Sequence, residues 1–234
     1  MSIDYWLTLE AYGLTQRFFD QLIKDTFITL YMVSLSTFFG TLIGAPIGIF
    51  LASSQKNELF ASPWGNRMVG FLCNLVRSVP FFILIFAILG FTRLLVGSPF
   101  TVPGAVVVLS VSAIPFIARL IETSIREVDQ GLVEAARAYG ASSLQIIFKV
   151  LIPEALPGII SSITLAIITL IGYSAMVGPL GVGGLGTLAY NYGYMRFEAG
   201  LLRAIVIEIV IMVQIVQFAG EWLSRRVNKR IRTH

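Results

Sequence analysis

Charge is what this sequence has least of. Only 13% of its 234 residues are Asp, Glu, Lys or Arg, where a soluble domain carries about 25%. So little charge cannot cover a water-facing surface, which excludes an ordinary soluble globule. Histidine and cysteine are scarcer still, with one of each. His234 is the last residue and Cys73 sits inside an apolar run. A single thiol forms no intramolecular disulfide, and one His with one Cys builds neither a zinc site nor a Cys-His nucleophile. Residues 1–12 lack a basic stretch ahead of an apolar one. A cleaved signal peptide is therefore not expected, and the first span should insert by itself. No internal repeat is visible. That argues against secondary transporters built from two repeated halves and suggests that one chain is half of a homodimer.

What is present is apolar: 56% of the residues are hydrophobic and the mean hydropathy is +0.82. A membrane crossing needs about 20 mostly apolar residues. Five runs qualify: 26–52, 69–91 with Arg77 near its start, 102–121 with Arg119 near its end, 155–176, and 201–222 with Arg203 and Glu208. Backbone groups in lipid must bond internally, so these runs are expected to be helices. A barrel would need alternating apolar and polar residues, and 159–170 shows none. The expected fold is an all-α integral membrane protein of about five transmembrane helices.

The basic residues orient it. Arg17 and Lys24 are outweighed by Asp4, Glu10, Asp20 and Asp25, which places the N-terminus outside. Lys56 and Arg67 flank an inner loop; 93–101 is an outer loop; 119–149, with Arg126 and Arg137, is inner; 177–200, with only Arg196, is outer. Arg225, Arg226, Lys229, Arg230 and Arg232 then anchor the C-terminus inside. This N-out/C-in order satisfies the positive-inside bias throughout. It also accounts for the net charge of +4 without nucleic acid, because the basic residues follow a hydrophobic helix and do not stud an aromatic surface.

Several features inside the spans carry two readings each. Gly40, Gly44 and Gly48 line one helix face and permit close packing, while Pro46 should kink the same helix. Arg77 can snorkel from its helix end and pair with Glu122 or Glu154, or act in gating. Glu208 sits about 140° around the helix from Arg203, so it faces another partner or lines a wet path. Ser161, Ser162, Thr164, Thr169, Tyr173, Ser174 and Met176 make the fourth span the pathway candidate, unless its hydroxyls bond back to their own helix. Asn191, Tyr192 and Tyr194 lie in an outer loop open to a delivery protein. Gly181, Gly183 and Gly186, with Glu208 downstream, imitate a dinucleotide fingerprint. They follow a membrane helix where a strand is required, so a tight turn or re-entrant segment is expected, with occlusion of the pathway's outer end as the sharper reading.

The loop between the third and fourth spans is the most ordered of the polar segments. Asp129 is a helix N-cap candidate. Leu132, Ala135, Ala136 and Tyr139 recur with helical period, Gly140 is a C-cap signal, and a second helical stretch runs over 142–151 before Pro153 and Pro157 punctuate the return. Such a helix either docks a partner through its small residues or lies on lipid headgroups. Headgroup helices carry bulky apolar residues opposite Lys and Arg; this one carries alanines and only Arg137, which favours docking.

Glu134-Ala135-Ala136, Gly140, Val150, Ile152 and Pro153 resemble the EAA loop of ABC-importer permeases, with Val150 and Ile152 replacing Ile and Leu at matching spacing. Arg77-Ser78-Val79-Pro80-Phe81-Phe82, Pro115 to Arg119, Pro153 to Gly158, Leu170 to Met176 and Gly183-Gly184-Leu185-Gly186 are similar to methionine-importer permeases. The resemblance covers about 26–225. It implies a type I ABC-importer permease fold in which 1–25 is an extracytoplasmic segment, 26–225 the permease domain and 226–234 a basic cytoplasmic tail. It implies that Glu134, Ala135, Ala136, Arg137 and Gly140 form a coupling helix in a cleft of an ATPase subunit, with Gly140 and Pro153 holding it against the bundle. It further implies a homodimer in the bacterial cytoplasmic membrane, two ATPase subunits that bind ATP and Mg, an extracytoplasmic substrate-binding protein, and no catalysis or cofactor on this chain. Methionine, or another amino acid, is the expected substrate. Tyr173, Ser174 and Met176 remain candidates for the pathway or its gate, and Arg77 and Glu208 for structural or gating charges. A channel or secondary transporter would leave the ordered loop unexplained. A membrane enzyme would need convergent acid and base groups, whereas Glu208 is the only deep acid.

Overall fold

The computed structural model describes residues 16–55, 59 and 61–228. Asp4, Glu10, Lys56, Lys229, Arg230, Arg232 and His234 lie outside the described residues. No strand occurs among the described residues. The helices are α1 Gln16–Ser53, α2 Pro63–Ser78, α3 Phe81–Ala87, α4 Leu89–Val96, α5 Val102–Arg126, α6 Gln130–Ala138, α7 Ser143–Ile146, α8 Ile152–Met176, α9 Leu185–Ala189 and α10 Ala199–Val227. Wider π turns at Ile147–Leu151 and Tyr190–Met195 and a tighter 3-10 turn at Gly178–Leu180 complete the series. Four stretches are long and apolar enough to cross a membrane: α1, α5, the continuous Ser143–Met176 run, and α10; the bent α2–α3 pair makes a fifth if it counts as one span.

Two of these differ from the runs expected from sequence. The first helix already includes Gln16, upstream of residue 26. Extending an existing helix adds one hydrogen bond per residue fixed, so the polar residues before 26 join it. With 38 residues it is about 57 Å long, well beyond the ~30 Å hydrocarbon core. The second run is not one helix. It breaks after Ser78, because Pro80 offers no N–H and its ring crowds the residue before it. Val79 is accordingly extended, with φ −82° and ψ 122°. Pro153 and Pro157, by contrast, do not interrupt the helical run. The π turn ends just before Pro153, at the place where the proline leaves carbonyls without an amide donor.

The chain forms two compact units. One holds the described residues up to 36 together with 81–109 and 168–215. Its fully buried side chains include Met32, Leu109, Leu170, Leu185, Leu188 and Ile205. The other holds the described residues of 37–80, 110–167 and 216–228. In this unit the glycine stripe does what its spacing predicts. A Cβ on Gly40 would lie 2.7 Å from that of Ala113, and one on Gly44 would lie 2.7 Å from the Ile114 carbonyl oxygen. Leu51, Cys73 and Ala118 pack together beside it with Ile47 and Val69. Large apolar side chains such as Phe27, Phe38, Phe71, Ile211 and Phe218 stay exposed. A soluble protein does not tolerate so many; lipid covers them in a protein that crosses the membrane several times.

Candidate functional site

The ordered loop expected between the third and fourth spans is α6 and α7, and both ends of α6 are closed by local chemistry. The Asp129 carboxylate accepts from the Gly131 amide at 2.8 Å, satisfying an N-terminal donor. At the other end Gly140 adopts φ +78°. Its amide donates to the Arg137 carbonyl at 2.9 Å and the Ala141 amide donates to that of Ala136 at 3.1 Å, the paired bonds of a Schellman end. Ser142 opens the next helix. Its hydroxyl accepts from the Gln145 amide at 3.4 Å, while its own amide donates to the Gln145 side-chain oxygen at 2.9 Å. This reciprocal capping box leaves no loose residue between α6 and α7.

The placement of side chains on α6 decides what it presents. Val133 alone is buried; Leu132, Glu134, Ala135, Arg137, Ala138 and Tyr139 are exposed and Ala136 is half-buried. Tyr139 is 93% exposed. The periodic apolar set found in the sequence therefore faces outward, and Val133 is the anchor that the sequence reading missed. Nothing lies within 4 Å of the place a Gly140 Cβ would occupy, and the residue supplies the left-handed turn that ends α6. Pro153 is exposed and lines a cleft of about 130 Å³ with Ser124, Glu127, Glu154 and Gly158.

Beneath α6 lies a cluster of charges on α5. Buried Glu122 pairs with Arg119 at 2.7 Å and with Arg126 at 2.9 Å. Arg119 also donates to the Gly70 carbonyl on α2 at 2.9 Å. Arg126 donates to the Leu51 carbonyl on α1 at 3.1 Å, and Asn66 reaches the same oxygen at 2.7 Å. A small cavity lined by Ala52, Leu59, Ile125, Arg126, Val133 and Leu151 joins this cluster to the α6 anchor. The expected pairing of Arg77 with Glu122 is thus corrected. Glu122 is occupied by two nearer arginines, and the Arg77 guanidinium lies 5.9 Å from the centre of the Phe116 ring. The spacing of Arg119, Glu122 and Arg126 places them on one helix face, a signal present in the sequence.

Of the predicted pathway residues, Ser161, Ser162 and Thr164 belong to this same unit, where Ser161 donates to the Pro157 carbonyl and Thr164 to the Ile160 carbonyl; the others fall in the other unit. Tyr173 stacks on Phe81 at 4.5 Å. Ser174 is buried and donates to the Ile171 carbonyl at 2.7 Å, so its hydroxyl bonds its own helix. Met176 is exposed. Glu208 is half-buried and accepts a hydrogen bond from Thr26 at 3.4 Å. The glycine-rich segment is a tight turn: Gly181, Gly183 and Gly184 have φ of +72°, +103° and +84°. It is fixed to α1, where Asp25 accepts from the Gly184 amide and Thr29 from the Leu185 amide. Tyr192 meets Phe18 edge-on at 5.5 Å and lies under Arg196, while Tyr190 and Tyr194 stack on each other.

Comparison with known proteins matches residues 44–233 to the family described as binding-protein-dependent transport system inner membrane component. The chain is 45% identical over 229 residues to a probable D-methionine transport system permease protein, MetI, of Vibrio cholerae, covering 98% of each. It is 41% identical to the methionine import system permease protein MetP of Bacillus subtilis, covering 90% of this chain and 95% of that one. Among solved structures, a chain of the MetNI methionine ABC transporter in an inward-facing conformation superposes with a TM-score of 0.90 at 41% identity, covering 92% of this chain and all of that one.

Proposed function

The chain belongs to the family of binding-protein-dependent transport system inner membrane components, and from that premise we propose that it is the membrane-spanning permease subunit of an ATP-binding-cassette importer for methionine. The observation that carries the coupling role is α6, a short helix capped at both ends with its small-residue face exposed. Near full-length similarity to methionine permeases on both sequence and structure comparison supports the substrate.

Two copies pair in the bacterial cytoplasmic membrane, N-terminus out and C-terminus in. Each copy offers α6 to one ATPase subunit. Ala135 and Ala136 let the partner surface come close, and Leu132 and Tyr139 provide the apolar area buried on docking. Because caps fix both ends of α6, movement of the partner displaces the helix as a unit and does not unwind it. ATP-driven closure of the two ATPase subunits switches the dimer between inward-facing and outward-facing states. An extracytoplasmic binding protein delivers methionine on the opposite side, where Tyr192 and Tyr194 lie. This chain performs no chemistry and holds no cofactor; ATP and Mg belong to the partner.

The test is co-purification with the cognate ATPase subunit from detergent. Wild type is expected to recover the ATPase, and Ala135→Trp to lose it, because Ala135 is exposed and a larger side chain there disturbs the face without disturbing the fold. Recovery by Ala135→Trp at the wild-type level overturns α6 as the docking element.

A further inference from the structure

Resting on that reading, we propose that Glu122 is a positioning residue for the transport step, tying the displacement of α6 to the end of α1 and the middle of α2. The cluster on α5 has two arginines and one carboxylate, so it carries one positive charge more than it neutralises internally. The excess is directed at main-chain oxygens of two other helices. Arg126 reaches Leu51, whose carbonyl lies in the last turn of α1 and has no amide of its own helix to accept from. Arg119 reaches Gly70 in the middle of α2. Glu122 holds both guanidinia at once, at 2.7 and 2.9 Å, and is itself buried.

The connection to α6 runs through a shared space. Arg126 and Val133 line the same small cavity, so a shift of the α6 anchor changes the room available to Arg126. Through Glu122 the shift reaches Arg119 and then α2, which leads directly into the bend at Val79 and Pro80. One buried carboxylate thus joins side chains that reach two other helices, and a transporter with two states needs an element with two arrangements.

The experiment uses the assembled complex with its ATPase subunits in proteoliposomes, with labelled methionine supplied by the binding protein. Assembly, ATP hydrolysis and methionine moved per ATP are measured for wild type, Glu122→Gln, Glu122→Asp and Arg126→Gln. Glu122→Gln and Arg126→Gln are expected to assemble and hydrolyse ATP as wild type does, but to move about fivefold less methionine per ATP or worse, the lower end of usual coupling effects. Glu122→Asp, which keeps the charge, is expected to recover most of the loss. An unchanged ratio in Glu122→Gln overturns the proposal. So does a loss of assembly, hydrolysis and transport in equal proportion, since that marks a purely structural part. A wild-type chain that recruits no ATPase and moves no methionine overturns the preceding reading instead, before any variant is compared.

Discussion

The carboxylate of Asp25, on α1, accepts a hydrogen bond from the main-chain amide of Gly184 at 3.0 Å, across 159 residues of sequence. Both groups are buried. The bond fixes the glycine-rich turn on α1, and Thr29 on the next turn of the helix adds a second at 2.9 Å. Behind the turn, Gly186 sits where a Cβ would meet the backbone of Ala175 at 2.6 Å. The segment is therefore held on one side by acceptors and on the other by close packing.

Replacing Asp25 with Leu removes the acceptor and leaves the Gly184 amide buried and unpaired. The expected cost is about 1–3 kcal/mol, seen as a lower thermal unfolding temperature in detergent. Asp25→Asn retains a side-chain oxygen and should lose much less. Equal losses for the two variants would show that charge, and not the acceptor oxygen, matters at this position.

Gly140 and Gly44 should respond to alanine for opposite reasons. At Gly140 there is open space but φ is +78°, so Gly140→Ala carries about 1–2 kcal/mol of backbone strain and nothing steric. At Gly44 the conformation is ordinary, but an added Cβ would press on the Ile114 carbonyl oxygen. Gly44→Leu should therefore prevent the chain from packing at all, whereas Gly140→Leu should be no worse than Gly140→Ala. Yield of monodisperse protein by size-exclusion chromatography distinguishes these outcomes.

Ser142→Ala removes one half of the capping box at α7 and is expected to destabilise the loop by about 0.5–2 kcal/mol. Asp129→Ala does the same at α6. Amide exchange should quicken in the first turn of the helix concerned and leave the transmembrane helices unaffected. Faster exchange throughout would mean that the caps hold more than their own helices.

The loop was legible in the sequence because everything that shapes it is local. Asp129, Gly140 and Ser142 act within a few residues of themselves, and their side-chain types name their tasks. The break before Pro80 was legible in principle too, since a proline cannot sit inside a helix without a compensating change; a purely hydropathic reading passed over it. The docking reading already turned the small residues of α6 outward; what was not legible is the anchor. Leu132 and Tyr139 have the spacing of a buried stripe, and only the position of Val133 shows which side holds the helix. Least legible were the acceptors of Arg119 and Arg126. A main-chain oxygen carries no residue-type signature, so the sequence offered only carboxylates as partners, Glu122 or Glu154 for Arg77.

The carbonyl of Leu51 takes donors from Asn66 and Arg126, so α1 is finished by side chains that belong to two other helices. This limits how the protein can be recombined. Any residue at 51 carries the same main-chain oxygen, so a helix grafted from a relative in place of α1 keeps its terminus as long as Asn66 and Arg126 stay in the recipient. A chimera that replaces α2 and α5 with segments lacking donors at 66 and 126 leaves α1 to end on a bare oxygen. Positions 66 and 126 thus constrain exchange, and position 51 does not.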